Sequence, residues 1–125
     1  MGNDEVDVDQ GLVRYQVFAA LKAPRPDVEQ FAVEATKTVK ENEPGALSYE
    51  WHIDDDSESC VIEESYIDHA TFGAHMTEFR RSGQMRALGG LLRVERVIVL
   101  NGERHAVREA FGPLETAFYR TVAAL

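Results

Sequence analysis

From Leu12 to Lys22 the chain alternates with a period of two. Val13, Tyr15, Val17, Ala19 and Leu21 share one face, and Arg14, Gln16, Phe18 and Ala20 share the other. This predicts a strand. Phe18 and Ala20 make the second face mixed, so cover is expected on both sides. Ala23-Pro24-Arg25-Pro26 breaks the pattern. Pro26 then suits the first position of a helix, and Asp27 and Glu29 suit its positive end. Val28, Phe31, Ala32, Ala35 and Val39 recur at helical spacing, which predicts a helix over 27–42 that Pro44-Gly45 stops. Alternation returns over 46–54, where Leu47, Tyr49, Trp51 and Ile53 oppose Ser48, Glu50 and His52. A second strand over 59–67 follows an acidic turn, so the two form a hairpin. Asp68 is a good cap for the next helix, whose Phe72, His75, Met76 and Phe79 fall on one face. After Ser82-Gly83 a short helical stretch runs to about Leu92, weakened near its end by Gly89-Gly90. Residues 93–100 are rich in Val and Ile and predict a fourth strand, closed by Asn101-Gly102. Residues 103–125 read as a helical tail divided at Gly112-Pro113, with Leu114, Phe118, Val122 and Leu125 marking one face of its second half.

The order strand, helix, strand, strand, helix, strand is the split βαβ arrangement, an α+β class with helices on one face of an antiparallel sheet. One sheet face stays bare, and a second copy of the chain is its simplest cover. The expected organisation is an acidic flexible leader over 1–10, a ferredoxin-like domain over 11–102 and a C-terminal helical extension over 103–125. The chain has 22 acidic and 13 basic residues, a net charge of −9. So acidic a surface repels phosphate backbones and anionic membranes, so neither nucleic acid nor membrane is expected as a partner. No apolar run approaches the length of a membrane helix. The lone cysteine, Cys60, lies in an apolar run and reads as a buried, inert thiol. Together these features point to the cytoplasm.

His75 is the first candidate for chemistry. On an apolar helical face it can project between helix and sheet and take a phenolic or enolic proton, since imidazole titrates near neutrality. The resulting electron-rich anion can react with oxygen directly. The same position also suits a core-edge histidine bonded to a backbone carbonyl. Glu64 lies between apolar neighbours in a strand and needs a partner, either His75 or an arginine; a structural ion pair is its alternative role. Tyr66 and His52 are placed to touch a substrate if they point to the helix side. Arg14 and Gln16 share the mixed face of the first strand and can steady an oxyanion, or can be plain edge residues. Phe72 joins them as an apolar contact. Tyr49 and Trp51 share a face with Leu47 and Ile53 and fit a core or dimer interface better than a ligand box. His52, His69, His75 and His105 show no tight ligand spacing, so no metal is expected.

Three segments, in order, resemble the antibiotic biosynthesis monooxygenase domain family. Glu43-Pro44-Gly45-Ala46-Leu47-Ser48-Tyr49-Glu50 is similar to its E-P-G-x-x-x-Y-E opening of the second strand. Cys60-Val61-Ile62-Glu63-Glu64-Ser65-Tyr66 is similar to its apolar strand ending in E-x-W, with Glu64 at the acidic position. Asp68 to Met76 is similar to the helix that follows, with His75 at the family's histidine. Tyr66 stands where many members carry tryptophan, and the first strand offers Gln16 rather than asparagine. Haem-degrading members use asparagine, tryptophan and histidine together, so haem degradation is a minor expectation.

The resemblance, over roughly 12–100, implies a homodimer of ferredoxin-like halves forming a dimeric α+β barrel. It implies a cofactor-independent monooxygenase acting with molecular oxygen on a small aromatic, quinol or polyketide-like molecule. His75 and Glu64 would be catalytic, and Tyr66, His52, Arg14, Gln16 and Phe72 would bind substrate. The alternative is a non-catalytic module that holds a small hydrophobic ligand, or haem, in the same cavity.

Overall fold

The computed structural model describes residues 11–125; the expected acidic leader lies outside them. The first alternating run becomes β1 (Val13–Leu21), followed by helix α1 (Arg25–Asn42). The hairpin is β2 (Ala46–Asp54) and β3 (Ser59–Tyr66). Helices α2 (His69–Arg81) and α3 (Gln84–Leu91) lead into β4 (Leu92–Asn101). The sheet order is β2-β3-β1-β4-β5, and the first four strands pair antiparallel. This is the ferredoxin-like α+β arrangement that the element order predicts.

The alternating phase of β1 decides the core. Val13, Tyr15, Val17 and Ala19 are buried beneath the helices, and strand pairing sets Ile62, Glu64 and Tyr66 of β3 in the same layer. Helix α1 contributes Val28, Ala32, Ala35 and Val39 from one stripe, and α2 contributes Phe72, His75 and Met76. The opposite phase, with Gln16, Phe18, Val61 and Glu63, is half-buried and has no helix over it among the described residues. Arg96 lies over the Phe18 ring there, 4.9 Å from its centroid. Among the described residues, the cover expected on both faces of β1 is thus complete on one side only.

Local contacts hold the frame. Arg25, at the start of α1, donates to the Asp54 and Asp55 carbonyls and pairs with Asp55 and Glu58, which offsets part of the negative charge of the hairpin turn. Asp68 caps α2 by accepting from the Thr71 amide at 2.8 Å. Helix α3 runs through Gly89 and Gly90, and the Lys22 ammonium donates to the Gly89 carbonyl at 2.8 Å.

The tail corrects the sequence reading in part. Its first half is a helix, α4 (Arg104–Phe111), which buries Val107 and sets Phe111 edge-on to Tyr15 at 5.0 Å. Its second half is not helical. Gly112 turns the chain at a positive φ of 61°, and β5 (Thr116–Phe118) pairs parallel with β4. The reason is the edge of β4, whose backbone groups need partners. Val97 N–H donates to Glu115 and Tyr119 N–H donates to Val99, at 2.8 and 2.9 Å. Phe118 is then held by the guanidiniums of Arg104 and Arg108. Residues 119–125 have no regular structure.

Candidate active site

A carboxylate in the apolar phase of β3 has to find donors. Cross-strand register supplies them: Glu64 lies opposite Tyr15 on β1 and opposite Tyr49 on β2. Tyr66 stands two residues further along the same face. Both the Tyr15 and Tyr66 hydroxyls donate to Glu64 Oε1 at 2.6 Å, short bonds of the charge-assisted kind. Helix α2 lays His75 over this group, with Nε2 3.5 Å from Glu64 Oε1. Its partner is therefore His75 together with the two tyrosines, and no arginine takes part.

The other side of the imidazole is met by Glu43, whose Oε1 lies 2.8 Å from His75 Nδ1. Glu43 is the residue that ends α1, and its amide donates back to Val39. Gly45 lets the following turn press against α2. A Cβ there would lie 2.7 Å from both Thr71 Cγ2 and Thr71 Oγ1, so a side chain would force either Thr71 or the turn that carries Glu43 to shift. His75 and Glu64 are 6% and 7% exposed. A singly protonated imidazole can donate to only one of its two carboxylates, whereas imidazolium can donate to both. The ring is further enclosed by Tyr49, Tyr66 and Phe79 at 5.1–6.0 Å.

His75 and Glu43 open onto a cleft of about 780 Å³ between the end of α1, the 43–45 turn and α2, with Phe79 on its wall. Glu64, Tyr15 and Tyr66 sit behind His75 and do not line it. Phe72 lies deeper still, packed against Tyr15, Tyr66 and Phe111. The structure thus brings His75, Glu64, Tyr66 and Phe72 together, as the sequence suggested, but only His75 of the four reaches the cleft.

The remaining expected residues are elsewhere. His52, Arg14 and Gln16 occupy the opposite face of the sheet, because their strand phase is out of step with that of Glu64. Arg14 reaches a second concavity of about 1130 Å³ beside the tail. His52 Nε2 lies 3.2 Å from Glu50 Oε1, and Glu63 stands across from Glu50. The possible ligand atoms of Glu50, His52 and Glu63 all lie within 4.8 Å of one another, the one such group among the described residues. The sequence reading passed over it because it tested helical spacing, whereas this group uses i, i+2 on a strand and a cross-strand neighbour. Tyr15 and Glu43 were also missed as site residues. Their signals were present: a tyrosine in a buried phase whose hydroxyl needs a partner, and an acidic residue directly before Pro44-Gly45.

Burial first, and then the Glu64 charge, holds the hydroxyls of Tyr15, Tyr49 and Tyr66 protonated well above the ordinary value of about 10. Above pH 10 the native chain therefore keeps protons that the unfolded chain releases. Stability should be insensitive to these groups below pH 10 and fall above it, by up to about 1.4 kcal/mol per pH unit for each tyrosine. An alkaline titration should show their tyrosinate absorbance appearing together with loss of secondary structure. Early ionisation in the native state would contradict the buried network. Burial likewise pushes the Cys60 thiol up to about 11, as suits an inert thiol.

No family model matches the chain. No curated protein sequence matches it either. Solved structures do. MupZ from Pseudomonas fluorescens is 14% identical, with 93% of this chain and 94% of that one covered and a TM-score of 0.68. A Caulobacter crescentus protein provisionally assigned as an antibiotic biosynthesis monooxygenase is 21% identical, with 81% and 98% covered and a TM-score of 0.63. SnoaB from Streptomyces nogalater, a cofactor-independent oxygenase, is 16% identical, with 74% and 94% covered and a TM-score of 0.61. No helix among the described residues is long and apolar enough to cross a membrane. In topology and over most of its length, this chain has the fold of the antibiotic biosynthesis monooxygenases.

Proposed function

We propose that the protein is a cofactor-independent monooxygenase acting on a small hydroxylated aromatic of the quinol or polyketide-like type. One observation carries this reading: His75 lies on the wall of a cleft large enough for a two-ring molecule, held between two carboxylates. The fold shared with SnoaB supports it. A hydroxyl bound beside Glu43 and His75 gives up its proton to that pair, and the imidazolium is steadied by Glu43 and Glu64. The anionic ring then attacks oxygen at carbon. The ring peroxide loses water as its O–O bond breaks, leaving a carbonyl. For a hydroquinone, one O₂ gives a hydroxyquinone and one water. The substrate supplies all four electrons, so no external reductant is needed. Glu64, Tyr15 and Tyr66 position the imidazole from behind.

The test is oxygen uptake and product mass with a panel of hydroquinones and polyphenols, using metal-stripped protein. Enzyme-dependent uptake, with product gaining one oxygen and losing two hydrogens, is the expected result. Stoichiometric binding without uptake across the panel would favour a ligand-holding module with the same cleft.

The same proposal includes a homodimer. The face carrying Phe18, Val61 and Ile98 has no helix over it among the described residues, and a second copy supplies a cover. Sedimentation at micromolar concentration should give twice the mass of one chain, and Phe18→Glu should shift it toward the monomer. A wild-type monomer would rule this out. His52, Arg14 and Gln16 share that face, so in the dimer they face the partner and not the His75 cleft.

A further inference from the structure

The open face of the sheet carries a group that the His75 site does not use. Strands β2 and β3 pair so that Glu50 stands directly opposite Glu63. Like charges facing each other across a ladder destabilise it, so this position calls for a cation. No lysine or arginine among the described residues pairs with either carboxylate; the arginine pairs go to Asp55, Glu58, Glu78 and Glu95. The basic side chains of this face stand elsewhere in the register, Arg14 opposite Ser65 and Arg96 opposite Phe18. What stands beside the two carboxylates is an imidazole. His52 follows Glu50 on the same face of β2, with Nε2 3.2 Å from Glu50 Oε1. One ligand atom from each of the three residues lies within 4.8 Å of the other two. A tetrahedral zinc ion, with bonds of about 2.0–2.2 Å, holds its ligand atoms roughly 3.4 Å apart. The His52 and Glu50 atoms already have that spacing, and a change of rotamer at half-buried Glu63 brings in the third.

We propose that Glu50, His52 and Glu63 bind a divalent transition-metal ion of the zinc class. The imidazole sets the class, because nitrogen ligation suits zinc, nickel and copper, whereas magnesium and calcium take oxygen ligands. The two carboxylates balance the charge of the ion. Bound there, it replaces their repulsion with a tie between the edge strand β2 and its neighbour β3. Three protein ligands leave a coordination position for water or a further ligand. None of the three residues lines the His75 cleft, so the inference is independent of the oxygenase reading.

The experiment is calorimetric titration of the untagged, chelator-treated protein with zinc chloride in excess magnesium, beside melting curves with and without zinc. A single zinc per chain should bind, and zinc should raise the melting temperature, as a ligand of the folded form does. His52→Ala and Glu63→Gln should each weaken binding by at least about tenfold, since groups that merely orient a metal ligand are already worth about 10–100-fold. Without zinc, Glu63→Gln should melt at or above the wild type, because it removes the like-charge pair, and this separates loss of the site from misfolding. His105→Ala, at an exposed histidine of α4, should bind zinc as the wild type does. No binding by the wild type, displacement by magnesium, or unchanged affinity in His52→Ala would each overturn the proposal. Equal losses in His105→Ala and His52→Ala would also overturn it, by showing scattered binding to surface histidines.

Discussion

Replacing His75 with alanine should lower kcat/KM for hydroquinone oxygenation by about 10²–10⁴-fold, the usual contribution of a positioned general base. The imidazole lies between Glu43, 2.8 Å from Nδ1, and Glu64, 3.5 Å from Nε2, so a hydroxyl proton taken up through Glu43 can rest on the ring. Alanine also opens a hole beside Tyr66 and Phe79, so a second variant is needed. His75→Gln keeps polar contact with Glu43 but cannot accept the proton, and it should lose activity to a similar degree while melting close to the wild type. The pH profile of kcat/KM adds a readout that packing alone would not move: its shape should change in both variants. Activity within about threefold of the wild type in His75→Gln would remove His75 from the chemistry, given that general-base contributions are far larger.

The second large effect concerns stability. Glu64→Ala should destabilise the chain by about 2–5 kcal/mol. Tyr15 and Tyr66 are 1% and 0% exposed, and both hydroxyls rest on one Glu64 oxygen. Without it, two buried donors lose their acceptor, at about 1–3 kcal/mol each. Glu64→Gln retains a carbonyl acceptor and should lose clearly less. Tyr15→Phe and Tyr66→Phe, each leaving one donor on Glu64, should fall between it and the alanine variant. Urea unfolding at one fixed protein concentration reads all four, since dimer formation would make the midpoint concentration-dependent. An alanine variant within about 0.5 kcal/mol of the wild type, the range of an ordinary surface change, would show that the tyrosines find other acceptors.

Both predictions turn on the same few residues, and these show what the chain reveals before it is folded. Period-two runs marked β1 and β2, the acidic turn marked β3 as a hairpin partner, Val and Ile richness marked β4, and helical stripes marked α1 and α2, because each of these signals is local to its own element. Asp68 as a cap and Pro44-Gly45 as a stop are equally local. His75 was legible because a titratable ring on an apolar stripe is itself a signal, and Glu64 because a carboxylate in an apolar phase requires a partner.

What joined those residues into a site was not local. The register of β1 against β3 decides that Tyr15 meets Glu64, and the phase of each strand decides that His52, Arg14 and Gln16 face away. Glu43 reaches His75 across 32 residues of sequence because the Gly45 turn can approach Thr71. The tail shows the same division in reverse. Leu114, Phe118 and Val122 have helical spacing, yet 116–118 is extended, because the open edge of β4 offers backbone partners that no reading of 103–125 alone contains. The elements, and the residues that demand partners, are legible along the chain. Which partners they find is settled by folding, since hydrogen bonds across strands and between helices depend on register and approach, and neither is written along a single element.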